Sequence, residues 1–236
     1  WSTRWYRNMI GDCSADVVST TVPCSTKWMV GTVNSFYIGI LATVIATGLG
    51  TMAALGLSRP HMPYKALIMS ILISPMIVPL IITAAGMFFF YARINLVYTF
   101  TGVILAHVAL ATPFVVITVT ATLVGFDMNM VKASQSLGAK PLRTFFKVIM
   151  PLILPGIISG ALFAFITSFD EVVIVMFMAS IDQLTIPKQM WAGIRQEISP
   201  VILCMATCLV VLSIVLLTTV ELLRRRSERL RGIKAR

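Results

Sequence analysis

Asp170 and Glu171 are adjacent carboxylates within an otherwise apolar stretch, and of all the residues in this chain they are best suited to binding a charged group. An ionisable side chain among apolar residues is costly and usually faces an interior or a cavity. A carboxylate in such a place can bind a cation, because the opposite charge offsets the cost of burying it. The sequence equally allows a structural role, in which the carboxylate is tied to the backbone or to a partner subunit.

The helix that would carry these acids limits how they can be used. Adjacent positions of an α-helix point about 100° apart, so only one of the two is expected to face a pathway. Thr167 lies one turn before Glu171 and is the expected local partner of its carboxylate in either role. Asp170, Glu171 and Thr167 together form the predicted cation-binding site.

Other kinds of chemistry find little support in the sequence. The chain has only two histidines, His61 and His107, and no cluster with the spacing of a metal site. No nucleophile–base constellation stands out, and no GxxxxGK[S/T] loop for binding ATP is present. We therefore expect no catalytic residue, no metal and no cofactor, and we expect His107 to be packed and hydrogen-bonded within a helix.

The composition places these residues in a membrane. Hydrophobic residues make up 58% of the 236-residue chain and charged residues 12%, about half the charged share of ordinary globular proteins. Several apolar runs are long enough to cross a hydrocarbon core of roughly 30 Å. The prediction is an all-α, polytopic transmembrane bundle that forms one domain, 1–236. In such a chain the net charge of +10 marks cytoplasmic loops and does not indicate nucleic-acid binding.

Five membrane spans are predicted, at about 30–57, 66–90, 98–124, 152–178 and 201–223. Small residues at four-residue spacing in the first span (Ala46, Gly50 and Ala54) and in the fourth (Gly156 and Gly160) favour close helix packing. Thirteen of the nineteen Lys and Arg residues lie in 58–65, 125–150 and 224–236. The positive-inside rule therefore places these segments, including the basic tail 224–236, in the cytoplasm, and places 1–28 on the periplasmic side.

The longest polar interruption between spans, which we call the elbow (125–150), carries a helical pattern twice. Asp127 is a candidate N-cap of a first short helix, and Gly138 supplies the permissive backbone that ends it. Pro141 suits the first position of a second helix. The apolar and small positions of the two helices are Met130, Ala133, Ser134 and Leu137, then Leu142, Phe145, Phe146 and Ile149. Two short helices joined at a glycine are expected, with an amphipathic helix on the membrane surface as the alternative.

Outside the elbow, three further features leave alternatives open. Cys13 and Cys24 form a disulfide if their segment faces an oxidising compartment, or else remain free thiols. Trp191 and Arg195 lie one turn apart, so they stack on each other or contact a soluble partner. The basic tail is expected to contact anionic lipid.

The elbow resembles the EAA loop of ABC importer permeases, which reads Glu-Ala-Ala, three residues, Gly, nine residues and Ile-x-Leu-Pro. Lys132, Ala133 and Ser134 occupy the triplet, Gly138 the glycine, and Val148, Met150 and Pro151 the end. Further segments are similar, in order, to permeases of the spermidine/putrescine type. They are STRWYRNM (2–9), ILAHVALATPFVV (104–116), PGIISGALFAFITSFDEVVI (155–174) and TIPKQMWAGIRQEISP (185–200). The resemblance covers nearly the whole chain.

This resemblance implies a type I ABC importer permease fold of six spans, of which one is expected to precede Trp1. It implies a multi-pass protein of the bacterial inner membrane that forms half of a translocation pathway for a polyamine or similar cationic solute. The elbow would be the coupling helix that contacts an ATP-binding subunit, and Phe145 and Phe146 would anchor its second helix onto the spans. Its expected coupling residues are Lys132, Ala133, Ser134, Leu137, Gly138, Ala139 and Pro141.

The partners that the resemblance implies are a cytoplasmic ATP-binding subunit dimer, a second permease subunit and a periplasmic solute-binding protein, together with membrane lipid. An opine or an amino-acid derivative is an alternative solute. A self-sufficient secondary transporter or channel is the alternative of a different class, although no internal repeat is visible.

Overall fold

The computed structural model describes residues 3–12, 26–59, 61–124, 129–196 and 199–230, and of 196, 220–221 and 223–230 it describes the backbone alone. Within these ranges the chain forms eleven α-helices and one π-helical segment. In chain order the α-helices are α1 Arg4–Met9, α2 Lys27–Leu57, α3 Lys65–Ile77, α4 Leu80–Arg93, α5 Phe100–Val124, α6 Asn129–Ser136, α7 Pro141–Thr144, α8 Met150–Phe169, α9 Val173–Met178, α10 Ile186–Gln196 and α11 Pro200–Leu230. Asp127, Cys13 and Cys24, for which the sequence makes predictions, lie outside the described residues.

Three predicted spans are single long helices. The first corresponds to α2, the third to α5 and the fifth to α11, which continues beyond the predicted end to Leu230. Among the described residues, four helices are long and apolar enough to cross a membrane, or five if α3 and α4 count as one span. The all-helical membrane architecture expected from the apolar runs is confirmed.

The core is formed where α2, α5 and α8 pack against one another. Its fully buried residues include Ile38, Ala42, Ala46, Ala54, Val103, Val115, Val119, Ile153 and Ala164. Small residues bring the backbones together: a Cβ on Gly50 of α2 would lie 2.6 Å from the Cβ of Val115 on α5. On α8, side chains at Gly156 and Gly160 would collide with Thr122 and Thr118 of α5. The predicted close packing at both small-residue stripes is therefore present.

The predicted second span is not one continuous helix. It consists of α3 and α4, which meet at an angle of 103°. Val78 is extended (φ −72°, ψ 134°), the conformation favoured before a proline, and Pro79 lies just before the first residue of α4. Pro79 also lacks the N–H that would continue the helix, so the chain breaks here instead of bending smoothly. Pro75, by contrast, is accommodated inside α3.

The predicted fourth span ends earlier than expected. α8 stops at Phe169, and the short helix α9 begins only at Val173. We call residues 170–172 the acidic break. Asp170 and Glu171 therefore do not occupy successive positions of one helix, and the helical geometry expected for them does not apply.

The second helix of the elbow is not separate from the fourth span. α6 ends in a Schellman motif, in which the Gly138 N–H donates to the Gln135 carbonyl (2.9 Å) and the Ala139 N–H to the Ser134 carbonyl (3.2 Å). Gly138 has φ +77°, so the predicted glycine turn is confirmed. Pro141 starts a helix as expected, but that helix does not end within the elbow. It continues through the π-helical segment Phe145–Ile149 directly into α8.

Candidate functional site

The elbow presents an outer surface that the rest of the described chain leaves uncovered. Lys132, Ala133, Gly138 and Pro141 are exposed, and Leu137 is 89% exposed although it is a large apolar side chain. Met130, Leu142 and Phe146 extend the exposed apolar surface, and Lys140, Arg143 and Lys147 are exposed beside it. An apolar patch with a charged rim, on a segment between spans, is typical of a protein contact site.

Two elbow residues differ from their predicted roles. Ser134 is half-buried, and its hydroxyl forms a 2.9 Å hydrogen bond with the hydroxyl of the buried Thr144, so it joins α6 to α7. Phe146 does not anchor the second helix onto the spans together with Phe145, because it is 61% exposed. Its ring instead meets the half-buried Phe145 edge-on, with the centroids 5.0 Å apart. Ala133 keeps its predicted outward position, and Ala139 is half-buried.

The two acids of the break have opposite environments. Glu171 is only 6% exposed, and its Oε1 accepts hydrogen bonds from the N–H groups of Val173 (2.7 Å) and Ile174 (2.9 Å). Its Oε2 accepts one from Val175 at 3.3 Å. These are the free N–H groups at the start of α9, so Glu171 caps that helix and also complements its dipole. Its hydrogen bonds run to these backbone groups and not to Thr167, the partner expected from the sequence.

Asp170 ends α8 and is exposed in the described chain. Its N–H donates to the Ile166 carbonyl at 3.0 Å, which closes the last turn of α8. Its carboxylate is the acidic group that the break leaves accessible.

A third element, α5, contributes His107 beneath the break. This residue is 1% exposed, and its Nδ1 lies 2.7 Å from the hydroxyl of Ser168 on α8. Its Nε2 lies 3.8 Å from Oε2 of Glu171 and has no hydrogen-bond partner among the described residues. The expectation of a packed, hydrogen-bonded histidine is confirmed, and its closeness to Glu171 is new.

The far end of α9 is also held by a charged side chain. The ammonium of Lys188, on α10, donates to the carbonyls of Ala179 (2.8 Å) and Val175 (3.3 Å). Partial burial lowers the pKa of Lys188, because the charged form loses hydration there. A carboxylate at the start and a cation at the end of a helix both match its dipole, so the short α9 is capped at each end.

The loop between α9 and α10 is fixed to the start of α2. The side-chain amide of Asn34 donates to the carbonyls of Asp182 (2.8 Å) and Leu184 (2.9 Å), and the Ile186 N–H donates to the Ser35 hydroxyl. Further along α10, the Arg195 guanidinium lies 5.8 Å from the Trp191 ring centre. The stacking alternative for this pair is therefore observed.

Ser168 and Lys188 are not recognisable as site residues from the sequence. Ser168 lies three residues before Glu171. Both residues come near one imidazole because the helix breaks between them, and the sequence does not reveal that break. Lys188 lies in a polar stretch of the sequence, where a lysine carries no special signal. His107 itself is visible as a polar residue in an apolar run, but its partners lie 61 or more residues away.

Comparison with known families settles the class of the protein. The family of binding-protein-dependent transport system inner membrane components matches residues 28–229. The chain belongs to this family. It is accordingly a permease subunit of an ABC transporter, and its apolar helices are membrane spans.

Named relatives agree with this assignment. The permease is 29% identical over 196 residues to the spermidine/putrescine transport system permease protein PotC of Haemophilus influenzae, covering 83% of this chain and 76% of that protein. It is 29% identical over 214 residues to the putrescine transport system permease protein PotI of Escherichia coli, covering 88% and 72%.

Solved structures show the same fold. A chain of the MetNI methionine ABC transporter, in an inward-facing conformation, matches with a TM-score of 0.67 at 18% identity, covering 84% of this permease and 94% of that chain. A chain of an amino acid ABC transporter matches with a TM-score of 0.63 at 18% identity, covering 85% and 94%. The type I ABC importer permease fold expected from the elbow and its flanking segments is confirmed.

Proposed function

We propose that this permease forms half of a translocation pathway for a polyamine or a similar cationic organic solute, and that its elbow couples the pathway to ATP hydrolysis on a separate subunit. The observation that carries the proposal is the pairing of an exposed elbow surface at one end of a long helix with an accessible carboxylate at the other end.

The coupling role is supported by the shape of the elbow. α6 is short, is ended by a glycine turn, and carries apolar and small side chains outward on a segment between spans. Such a surface is better suited to packing in a groove of a partner protein than to exposure to water. We assign Lys132, Ala133, Leu137, Gly138 and Pro141 to the contact with a cytoplasmic ATP-binding subunit. Ser134 and Ala139 act by holding the turn.

A cationic solute is supported by the relatives and by the break. Both relatives described above are named for spermidine or putrescine, which are polyamines. Asp170 is the acid that can meet such a cation, because the carboxylate of Glu171 is already bonded to three backbone N–H groups. Thr167, half-buried one turn earlier, belongs to the same end of α8.

Orientation and partners follow from the same proposal. The elbow and the basic tail face the cytoplasm, and residues 1–28 and the α9–α10 loop face the periplasm, where a solute-binding protein delivers the solute. A second permease subunit supplies the other half of the pathway.

The experiment is uptake of labelled spermidine by the purified complex in proteoliposomes, with ATP inside or absent. ATP-dependent uptake, together with co-purification of an ATP-binding subunit, is the expected result. Uptake by this chain alone, without ATP, would replace the proposal with a secondary transporter or channel. ATP-dependent uptake of an opine or an amino-acid derivative, but not of spermidine, would keep the class and change the solute.

The amide variants Asp170→Asn and Glu171→Gln test whether Asp170 contacts the solute while Glu171 has a structural role. A hydrogen bond to a charged group contributes about 1.5–3 kcal/mol, so Asp170→Asn should raise KM for spermidine roughly tenfold or more. Glu171→Gln keeps one acceptor oxygen for the start of α9 and should mainly lower thermal stability. Equal, unimpaired uptake by both variants would leave only a structural role for the acids.

A further inference from the structure

The imidazole of His107 lies close to residues on both sides of Asp170 in the acidic break. Ser168, two residues before Asp170, is hydrogen-bonded to His107 Nδ1 at 2.7 Å. Glu171, directly after Asp170, has Oε2 3.8 Å from Nε2 of the same ring. The exposed carboxylate is thus flanked on both sides by residues that meet one buried side chain of α5.

The hydrogen-bond pattern favours one arrangement of protons on that ring. If the Ser168 hydroxyl donates to Nδ1, Nε2 carries the N–H and directs it toward the Glu171 carboxylate, which is attractive. In the opposite tautomer a nitrogen lone pair would face the carboxylate oxygens, which is repulsive. Nε2 is buried and has no other partner among the described residues, so no competing donor stabilises the second arrangement.

The same carboxylate makes the three hydrogen bonds that start α9. The position of Glu171 therefore sets the direction of α9, while Ser168 ties the last turn of α8 to His107. Asp170 lies between the two and has no side-chain hydrogen bond of its own in the described structure, so its direction depends on these neighbours.

We propose that His107 is a positioning residue for transport: through Ser168 and Glu171 it fixes the acidic break and thereby the direction in which Asp170 is presented to the cationic solute. The proposal rests on the proposed function, in which Asp170 meets that solute. His107 is buried and touches no solute itself.

The first experiment measures KM and kcat for ATP-driven spermidine uptake by the complete complex carrying Ser168→Ala, His107→Leu or His107→Asn. Ser168→Ala removes one neutral hydrogen bond and should raise KM about threefold to tenfold while leaving kcat and the yield of complex near wild type. His107→Leu should raise KM further. His107→Asn retains a polar atom near the Nδ1 position, facing Ser168, and should recover part of the affinity. Lower yield or lower kcat with unchanged KM in all three variants would mean that His107 only packs the core.

A double-mutant cycle separates positioning from a general effect. In the Asp170→Asn background, Ser168→Ala should leave KM unchanged, because the group it positions has lost its charge. An equal rise of KM in both backgrounds would overturn the proposal.

A readout independent of the solute distinguishes this inference from the proposed function. Asp170→Cys is introduced into the complex after Cys13, Cys24, Cys204 and Cys208 are replaced by Ser, and its reaction rate with a charged thiol reagent is measured. Adding Ser168→Ala or His107→Leu should change that rate severalfold. An unchanged rate would refute the positioning role even if spermidine is transported. A changed rate in a complex that does not transport spermidine would refute only the choice of solute.

Discussion

Gly138 offers a perturbation whose cost comes from the backbone alone. It has φ +77°, a region that side chains other than glycine enter at about 1–2 kcal/mol per residue. Apart from its own chain neighbours, no heavy atom of the described residues would lie within 4 Å of a Cβ at this position, so replacing the glycine introduces no clash with them. The expected penalty is therefore conformational, and it acts on the turn that orients α6.

Three substitutions grade this penalty. Asn tolerates the left-handed region and should behave almost like Gly. Ala should incur the full penalty of about 1–2 kcal/mol. Val should incur a larger penalty, because its branched Cβ fits that region poorly. A penalty of about 1–2 kcal/mol lowers the population of the native turn roughly 5- to 30-fold relative to alternatives. Coupling should decline in the order Gly, Asn, Ala, Val.

The assay is the number of ATP molecules hydrolysed per solute taken up by the complex in proteoliposomes, with co-purification of the ATP-binding subunit measured alongside. Gly138→Val should uncouple hydrolysis from uptake or prevent assembly, and Gly138→Asn is the matched control. Normal coupling in Gly138→Val would refute the reasoning. An Asn variant as impaired as Val would show that the exposed surface at this position, and not the backbone, is what matters.

Three further changes test the packing that surrounds the site. Gly156→Leu should block packing of α5 against α8, because even a Cβ there collides with Thr122. Gly156→Ala is the milder comparison, and the thermal stability of both variants is measured in detergent. Lys188→Met should loosen the end of α9 by removing two hydrogen bonds to carbonyls, seen as faster hydrogen exchange in α9 with little change elsewhere. Asn34→Ala leaves two loop carbonyls without their donor and should increase proteolysis of the α9–α10 loop, whereas an unchanged cleavage rate would show that the loop is held by packing.

The sequence predicts the long spans well because apolar length alone decides them. α2 and α5 match the predicted first and third spans within three residues at either end. The glycine turn of the elbow is predicted equally well, since Gly138 carries a local backbone requirement that no other residue meets as easily. Features decided by neighbouring residues in the chain can therefore be predicted without the structure.

The helix breaks at Val78 and at residues 170–172 depend on the three-dimensional geometry of the chain, which the sequence does not show directly. A proline in a span is compatible with a mild kink or with the observed 103° bend at Val78, and apolar periodicity cannot distinguish the two. The start of α9 after the break is set by Glu171, which accepts hydrogen bonds from N–H groups further along the chain and approaches His107 from 64 positions later in the chain. Apolar side chains continue on both sides of that point, which is why the predicted span extends to 178.

The helix that starts at Pro141 runs through the π-helical segment to Phe169, so the exposed elbow surface and the accessible acid sit at opposite ends of one helix. At 1.5 Å per residue its 29 residues measure about 43 Å, longer than a hydrocarbon core of roughly 30 Å. Gly156, where an added Cβ would collide with Thr122 of α5, lies close to the midpoint of this helix. If this helix pivots about that contact as a rigid body, displacing one end moves the other end in the opposite direction.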